Sequence, residues 1–210
     1  MKERPILFSG AMVRAILSGA KTQTRRVVKI PPEIHEPGDN DATRIAWLPE
    51  HEGGPGFYGW MTDYADEGSV PLRCPYGQPG DRLWVRETWG PCDGGACYRA
   101  DEPAGSIALP DDGRWTPSIH MPRWASRITL EVTGVRVERL QAISEADALA
   151  EGVKPAWEPG CSGRLMEAIG GFSYRPAASA YANLWESING PGSWDANPWV
   201  WVVEFRRVGK

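Results

Sequence analysis

The amino-acid sequence predicts an α+β fold in a single domain, 1–210. Residues 82–89, 128–140 and 199–208 alternate side chains with the period of two that a strand requires. Residues 11–18 and 177–188, and the stretch opened by Ser144, carry helical spacing or helix start signals. The 210 residues are 41% hydrophobic, enough to fill a core, and contain no internal repeat.

Residues 4–9 read as a strand or its lead-in. Val13, Ile16 and Leu17 give a short helix over 11–18, which Gly19 stops. Residues 21–29 are extended, with Val27 and Val28 directed at a core. From 31 to about 72 the chain is rich in proline, glycine and acids without clear periodicity, and reads as an irregular insertion partly ordered by Trp47, Phe57, Tyr58 and Trp60. Pro79-Gly80-Asp81 marks a tight turn. In the strand that follows, Leu83, Val85 and Glu87 share one face, and Arg82, Trp84, Arg86 and Thr88 the other. A strand near 97–99 precedes an irregular loop. In the strand over 128–140, Gly134 marks a bulge or bend. Ser144 with Asp147 gives a capping-box-like helix start, and Gly152 its end. Residues 154–176 read as loop, with a short helix near 164–168. Tyr181, Leu184, Trp185 and Ile188 follow helical spacing, and the closing strand places Trp199, Trp201, Val203 and Phe205 on one face.

The formal charge of −4 divides unevenly. Residues 33–69 hold nine acids and one base, so the rest of the chain is net basic, and its bases are mostly arginine. Arginine offers a planar fork to phosphates and a face to bases, and eleven tryptophans accompany it. Most of those tryptophans are expected to fill the core. No run approaches the ~20 apolar residues of a membrane span, and the first residues lack a signal peptide's long apolar region, so a cytoplasmic protein is expected. Cys74, Cys92, Cys97 and Cys161 are irregularly spaced and read as free thiols in a reducing compartment rather than zinc ligands. No metal or cofactor is expected, and P-loop, dinucleotide and H-E-x-x-H motifs are missing from the sequence.

The richest chemistry lies in Lys21-Thr22-Gln23-Thr24-Arg25-Arg26. In an extended chain Lys21, Gln23 and Arg25 share one side, and Thr22, Thr24 and Arg26 the other. A break in that alternation at the turn would let Lys21 and Thr24 converge, and a lysine beside a threonine assists loss of the hydroxyl proton or holds an anion. The same run also suits a solvated strand edge. Glu151 falls in the last turn of the helix opened by Ser144, where the negative dipole end disfavours a second negative charge and so favours a proton donor.

These segments in this order resemble the ASCH domain family, a branch of the PUA-like small β-barrels. The resemblance rests on Lys21-Thr22-Gln23-Thr24, on Cys74-Pro75-Tyr76-Gly77, on Gly80-Asp81-Arg82-Leu83-Trp84-Val85-Arg86-Glu87-Thr88-Trp89, on Met121-Pro122-Arg123-Trp124-Ala125-Ser126-Arg127, on the Glu151-Gly152 helix end and on the closing strand. It covers 4–29, 74–153 and 180–208 and is closest to the larger prophage-type members. It implies a small β-barrel with flanking short helices and a cleft between them that binds RNA or a modified nucleoside or nucleotide. Some small members are similar to amidohydrolases acting on 4-acetylcytidine, with a lysine proton acceptor, a threonine nucleophile and a glutamate proton donor; Lys21, Thr24 and Glu151 match those positions. Thr22, Arg25, Arg26, Arg82, Trp84, Arg86, Glu87, Arg123, Trp124 and Arg127 are the expected ligand-binding residues. The resemblance also implies a phage or prophage protein acting in the bacterial cytoplasm, and a third reading uses the acidic insertion as a DNA-like surface against a host protein.

Overall fold

In the computed structural model the described residues are 1–29, 44–48, 57–61, 70–103, 109–153 and 176–209. The expected helix near 164–168 and most of the 154–176 loop lie outside them.

The fold is α+β. Strand β1 (Glu3–Leu7) leads into helix α1 (Gly10–Leu17), whose Ser9 hydroxyl accepts from the Met12 amide as its N-cap. Gly19 follows with φ +78°, and β2 (Gln23–Val27) runs on from it. Three strands, β3 (Arg44–Leu48), β4 (Phe57–Met61) and β5 (Val70–Leu72), then form an antiparallel sheet of their own. The region expected to be an irregular insertion therefore contains regular structure. Its strands are only three to five residues long between glycines, prolines and acids, too short for alternation to register.

The main sheet is completed by β6 (Arg82–Arg86), β9 (Thr129–Arg139) and β10 (Trp199–Val208). Its order is β1-β6-β9-β10-β2, with β1 and β6 parallel and the other neighbours antiparallel. Between β6 and β9 the chain forms a small hairpin of β7 (Trp89–Cys92) and β8 (Gly95–Tyr98). Opposite Gly134 the β9–β10 register slips: Glu204 faces Gly134 but Phe205 faces Val132, so Thr133 is the extra residue of a bulge. No ladder joins β1 to β2 among the described residues. The two ends nevertheless approach, because Arg26 on β2 donates from Nη2 to the Leu7 carbonyl on β1 at 2.6 Å.

Strand β10 is buried on both faces, which explains its unbroken run Trp199 to Val203. Trp201, Val203 and Phe205 pack with Ile6, Phe8, Leu83, Leu130 and α1's Val13 and Ile16. Val200 and Val202 pack on the opposite side with α2 (Glu145–Ala150) and α3 (Ala177–Asn189), through Ala148, Ala177, Tyr181 and Trp185. Of the two valines expected in the core, Val28 is buried but Val27 is exposed.

Cys92 and Cys97 are bonded to each other across the β7–β8 hairpin, with Cα atoms 5.7 Å apart. This corrects the expectation of free thiols there: the turn at Asp93-Gly94 returns the chain and brings two irregularly spaced cysteines into range. Two of the thiols that a zinc site would have used are thereby occupied. Cys74 remains a free cysteine. No helix among the described residues is long and apolar enough to cross a membrane.

Candidate functional site

The site is built where the start of β2 meets the end of α2. Ser144 caps α2, accepting from the Asp147 amide and donating to its carboxylate. Gly152, at φ +86°, turns the chain out of the helix, which leaves Glu151 against Lys21. The two residues form an isolated antiparallel bridge, reinforced by the Thr22 amide donating to the Ala150 carbonyl at 2.8 Å. The Lys21 amide is tied in turn to Ala15 of α1. Helix α1 and the end of α2 thus fix one short segment.

Lys21 and Glu151 are buried together. The ammonium lies 2.5 Å from Oε2 and also donates to the Glu151 carbonyl at 2.9 Å. Burial pushes the Lys21 pKa below the ordinary lysine range, against the pull of the Glu151 carboxylate. Arg25, whose side chain has no solvent exposure, reaches Glu138 at 3.1 Å, Asp147 at 3.2 Å and the other Glu151 oxygen at 3.5 Å. Gln23 donates to the Asp147 carbonyl at 3.0 Å. Lys21, Gln23 and Arg25 therefore all face α2, as strand alternation requires. Arg136 closes the network by bonding Glu138, Asp147 and Glu204. Burial works to raise the Asp147 pKa, but the Ser144 hydroxyl and the charges of Arg25 and Arg136 outweigh it, and the net shift is downward.

Beside this network is a cavity of about 70 Å³ lined by Thr24, Arg25, Arg26, Glu151, Tyr181 and Trp185, with Leu184 and Ile188 also on its wall. Thr24 is buried and lies on the cavity wall. Lys21 does not line the cavity, and its ammonium donates to the Glu151 carboxylate and carbonyl rather than to Thr24. Tyr181 stands with its ring 6.0 Å from the Arg25 guanidinium. Burial, and then the Glu151 charge, raises the tyrosine's pKa.

The remaining candidate residues occupy other ground. Arg86 and Arg123 lie over the Trp84 ring at 5.4 and 5.9 Å, so that ring already has two guanidiniums against it. Arg86 also donates to the Ile119 carbonyl, and Arg123 pairs with Glu3. Arg82 lies in β6 opposite Glu3 and Glu131. Trp124 is 68% exposed and meets Trp89 edge-on. Glu87, one residue past the end of β6, is buried in a bidentate pair with Arg127 at 2.9 and 3.0 Å. Burial raises the Glu87 pKa against the pull of that arginine. Arg127 further binds Asp101 and lies 3.9 Å from the Tyr98 ring centroid. This second group braces the connection between β8 and β9.

The α3 wall and the Arg136–Glu138–Asp147 layer are not among the residues expected from the sequence. Tyr181, Leu184, Trp185 and Ile188 do show there as a helical stripe, but a stripe of that kind reads as core. Asp147 shows there only as a capping residue.

No family model matches the chain, and no curated protein or solved structure matches it at a significant level.

Proposed function

We propose that the chain binds RNA or a modified nucleoside in the cleft between β2 and the helices α2 and α3, as a PUA-like barrel of the ASCH type. One observation carries the reading: Thr24, Arg25, Arg26 and Glu151 from the motif segments meet Tyr181 and Trp185 around one cavity. Polar groups there fix orientation while aromatic and aliphatic side chains supply the wall, the composition of a small-molecule site. The barrel is supported by the approach of the sheet's outer strands through Arg26 and Leu7. The cavity is less than half the ~150 Å³ that encloses a benzene ring, so the edge of a base or an acyl group enters and the sugar stays outside.

A second reading, hydrolysis of an acylated nucleoside, is favoured by the 2.5 Å contact between Lys21 and Glu151. Transfer of one proton across it gives a neutral amine and a neutral carboxylic acid in a single step. Lys21 then accepts the Thr24 hydroxyl proton as Oγ1 attacks the acyl carbonyl, and Glu151 protonates the departing amine. Water releases the acid from acyl-threonine. The step requires the Lys21 amine to leave its Glu151 partners and reach the Thr24 hydroxyl.

Equilibrium binding of cytidine and single-stranded RNA, run beside a turnover assay on 4-acetylcytidine, separates the readings. Binding without turnover supports the first. Cytidine release lost in Lys21→Ala, Thr24→Ala and Glu151→Ala supports the second. Neither binding nor turnover by folded protein overturns both.

A further inference from the structure

Tryptophan placement singles out one surface away from the cavity. Among the tryptophans whose side chains are described, Trp124 alone is exposed; the others are buried or half-buried. Its backbone is anchored. Arg123–Ala125 form a single helical turn, and Ala125 is buried beside Trp89 and Met121. The Tyr98 hydroxyl donates to the Ala125 carbonyl at 2.9 Å, and the Ser126 hydroxyl to the Val85 carbonyl at 2.8 Å. Trp89 meets the Trp124 ring edge-on, with centroids 5.4 Å apart. Ile119, in the preceding turn, is 56% exposed. Apolar side chains held in solvent together, rather than scattered singly, mark a contact surface.

Charge decides what kind of partner fits. Strands β1 and β6 bury Ile6, Leu83 and Val85, so alternation puts Pro5, Leu7, Arg82, Trp84 and Arg86 on the outer face of the sheet. The Trp124 turn borders that face, because Arg123 lies over the Trp84 ring at 5.9 Å and Arg86 donates to the Ile119 carbonyl. Glu3 and Glu131 are the carboxylates of this face, and Arg123 and Arg206 already engage them. Arg82 and Arg86 form no ion pair with another described residue, which leaves the face positive. It also runs up to the cavity. Arg26, on the cavity wall, donates to the Leu7 carbonyl, and Leu7 is the register partner of Arg86.

We infer that Trp124 is a stacking platform for a second base, and that the partner is a short single-stranded nucleic acid rather than a free nucleoside. The inference rests on the nucleoside reading and extends it: one base enters the cavity, and a neighbouring base of the same strand lies on Trp124. Stacking on an aromatic ring tolerates any base, since every base offers a flat face. The surplus guanidiniums between the two subsites suit the phosphates that join those bases. Apolar neighbours such as Leu7 and Ile119 complete the platform without demanding a sequence.

The test is calorimetry of the full chain with two probes, cytidine and a short oligocytidylate. Wild type is expected to bind the oligomer more tightly than cytidine. Trp124→Ala should weaken the oligomer about tenfold and leave cytidine unchanged. Trp124→Phe should keep most of the oligomer affinity, because a ring still stacks. In nitrogen-15-labelled wild type the Trp124 indole resonance should move with the oligomer and stay with cytidine, which covers the case in which a variant fails to fold. Unchanged oligomer binding in Trp124→Ala overturns the platform and leaves the cleft reading standing. Equal weakening of both probes overturns it too, since Trp124 then acts through the fold. A wild-type dimer in sedimentation that Trp124→Ala disperses gives the face to a second copy of the chain and overturns the inference. If neither probe binds wild type, the nucleoside reading fails and the inference with it.

Discussion

At the level of single residues, the Lys21–Glu151 pair is the feature with most at stake. Both side chains are nearly inaccessible, so each charge depends on the other for its solvation. Removing one partner leaves an unmatched charge in the interior. Glu151→Gln is expected to cost about 3–5 kcal/mol in urea unfolding. Lys21→Met combined with Glu151→Leu should recover most of that loss, because the double change removes both charges. Equal losses in the single and double variants would show that packing, not charge matching, sets the cost.

Cys74 gives a residue-scale prediction for pH. Burial raises its thiol to about 11, against an ordinary value of 9.0. Between these values the unfolded chain has released the proton and the folded chain holds it. Stability from this group is therefore full below pH 9.0 and falls as pH rises toward 11. Thermal unfolding of wild type should lose stability across that window more steeply than Cys74→Ala does. Parallel curves for the two proteins would contradict the assignment.

At the level of elements, Gly152 couples a helix end to the site. It combines φ +86° with crowding: a Cβ there would lie 3.0 Å from the Ala15 Cβ and 3.1 Å from the Lys21 Cβ. Gly152→Ala is expected to cost about 2 kcal/mol through left-handed strain, and more if Lys21 is displaced. Chemical denaturation measures the cost; a loss below a few tenths would mean that the helix end tolerates a side chain.

The same scale shows what the sequence made legible. Helix α2 could be read because Ser144, Asp147 and Gly152 are local signals, and a local signal survives without knowledge of the fold. The bulge at Gly134 was legible for the same reason. Lys21 and Glu151 could be joined only through the family resemblance, since 130 residues separate them. Arg136 and Glu138 gave no signal at all: in a strand, alternating charges read as a solvated face, and only packing against α2 turns that face inward. The β3–β5 sheet failed for shortness, and the Cys92–Cys97 bond because spacing alone does not predict a hairpin.

For the molecule as a whole, β10 is the organising element. It separates the α1 core from the α2–α3 core and carries the pairing that holds β2 in place. The polar network lies along the seam between β2, β9 and α2, so site geometry and global stability are linked. The arginines anticipated as phosphate contacts are largely turned to internal use: Arg25 and Arg127 bind the buried carboxylates of Glu151 and Glu87, and Arg123 binds Glu3. That distribution favours recognition in a confined cavity over tracking along a nucleic-acid backbone.

The most direct test of that claim is to fill the cavity without touching its charges. Leu184 lines the wall and takes no part in the ion-pair network. Binding of cytidine and single-stranded RNA should be measured by calorimetry for wild type and Leu184→Trp, beside their denaturation midpoints. Wild type is expected to bind, and Leu184→Trp to lose binding while its midpoint is little changed. Equal binding by the two folded proteins would contradict it and move the ligand away from the β2–α2–α3 cleft.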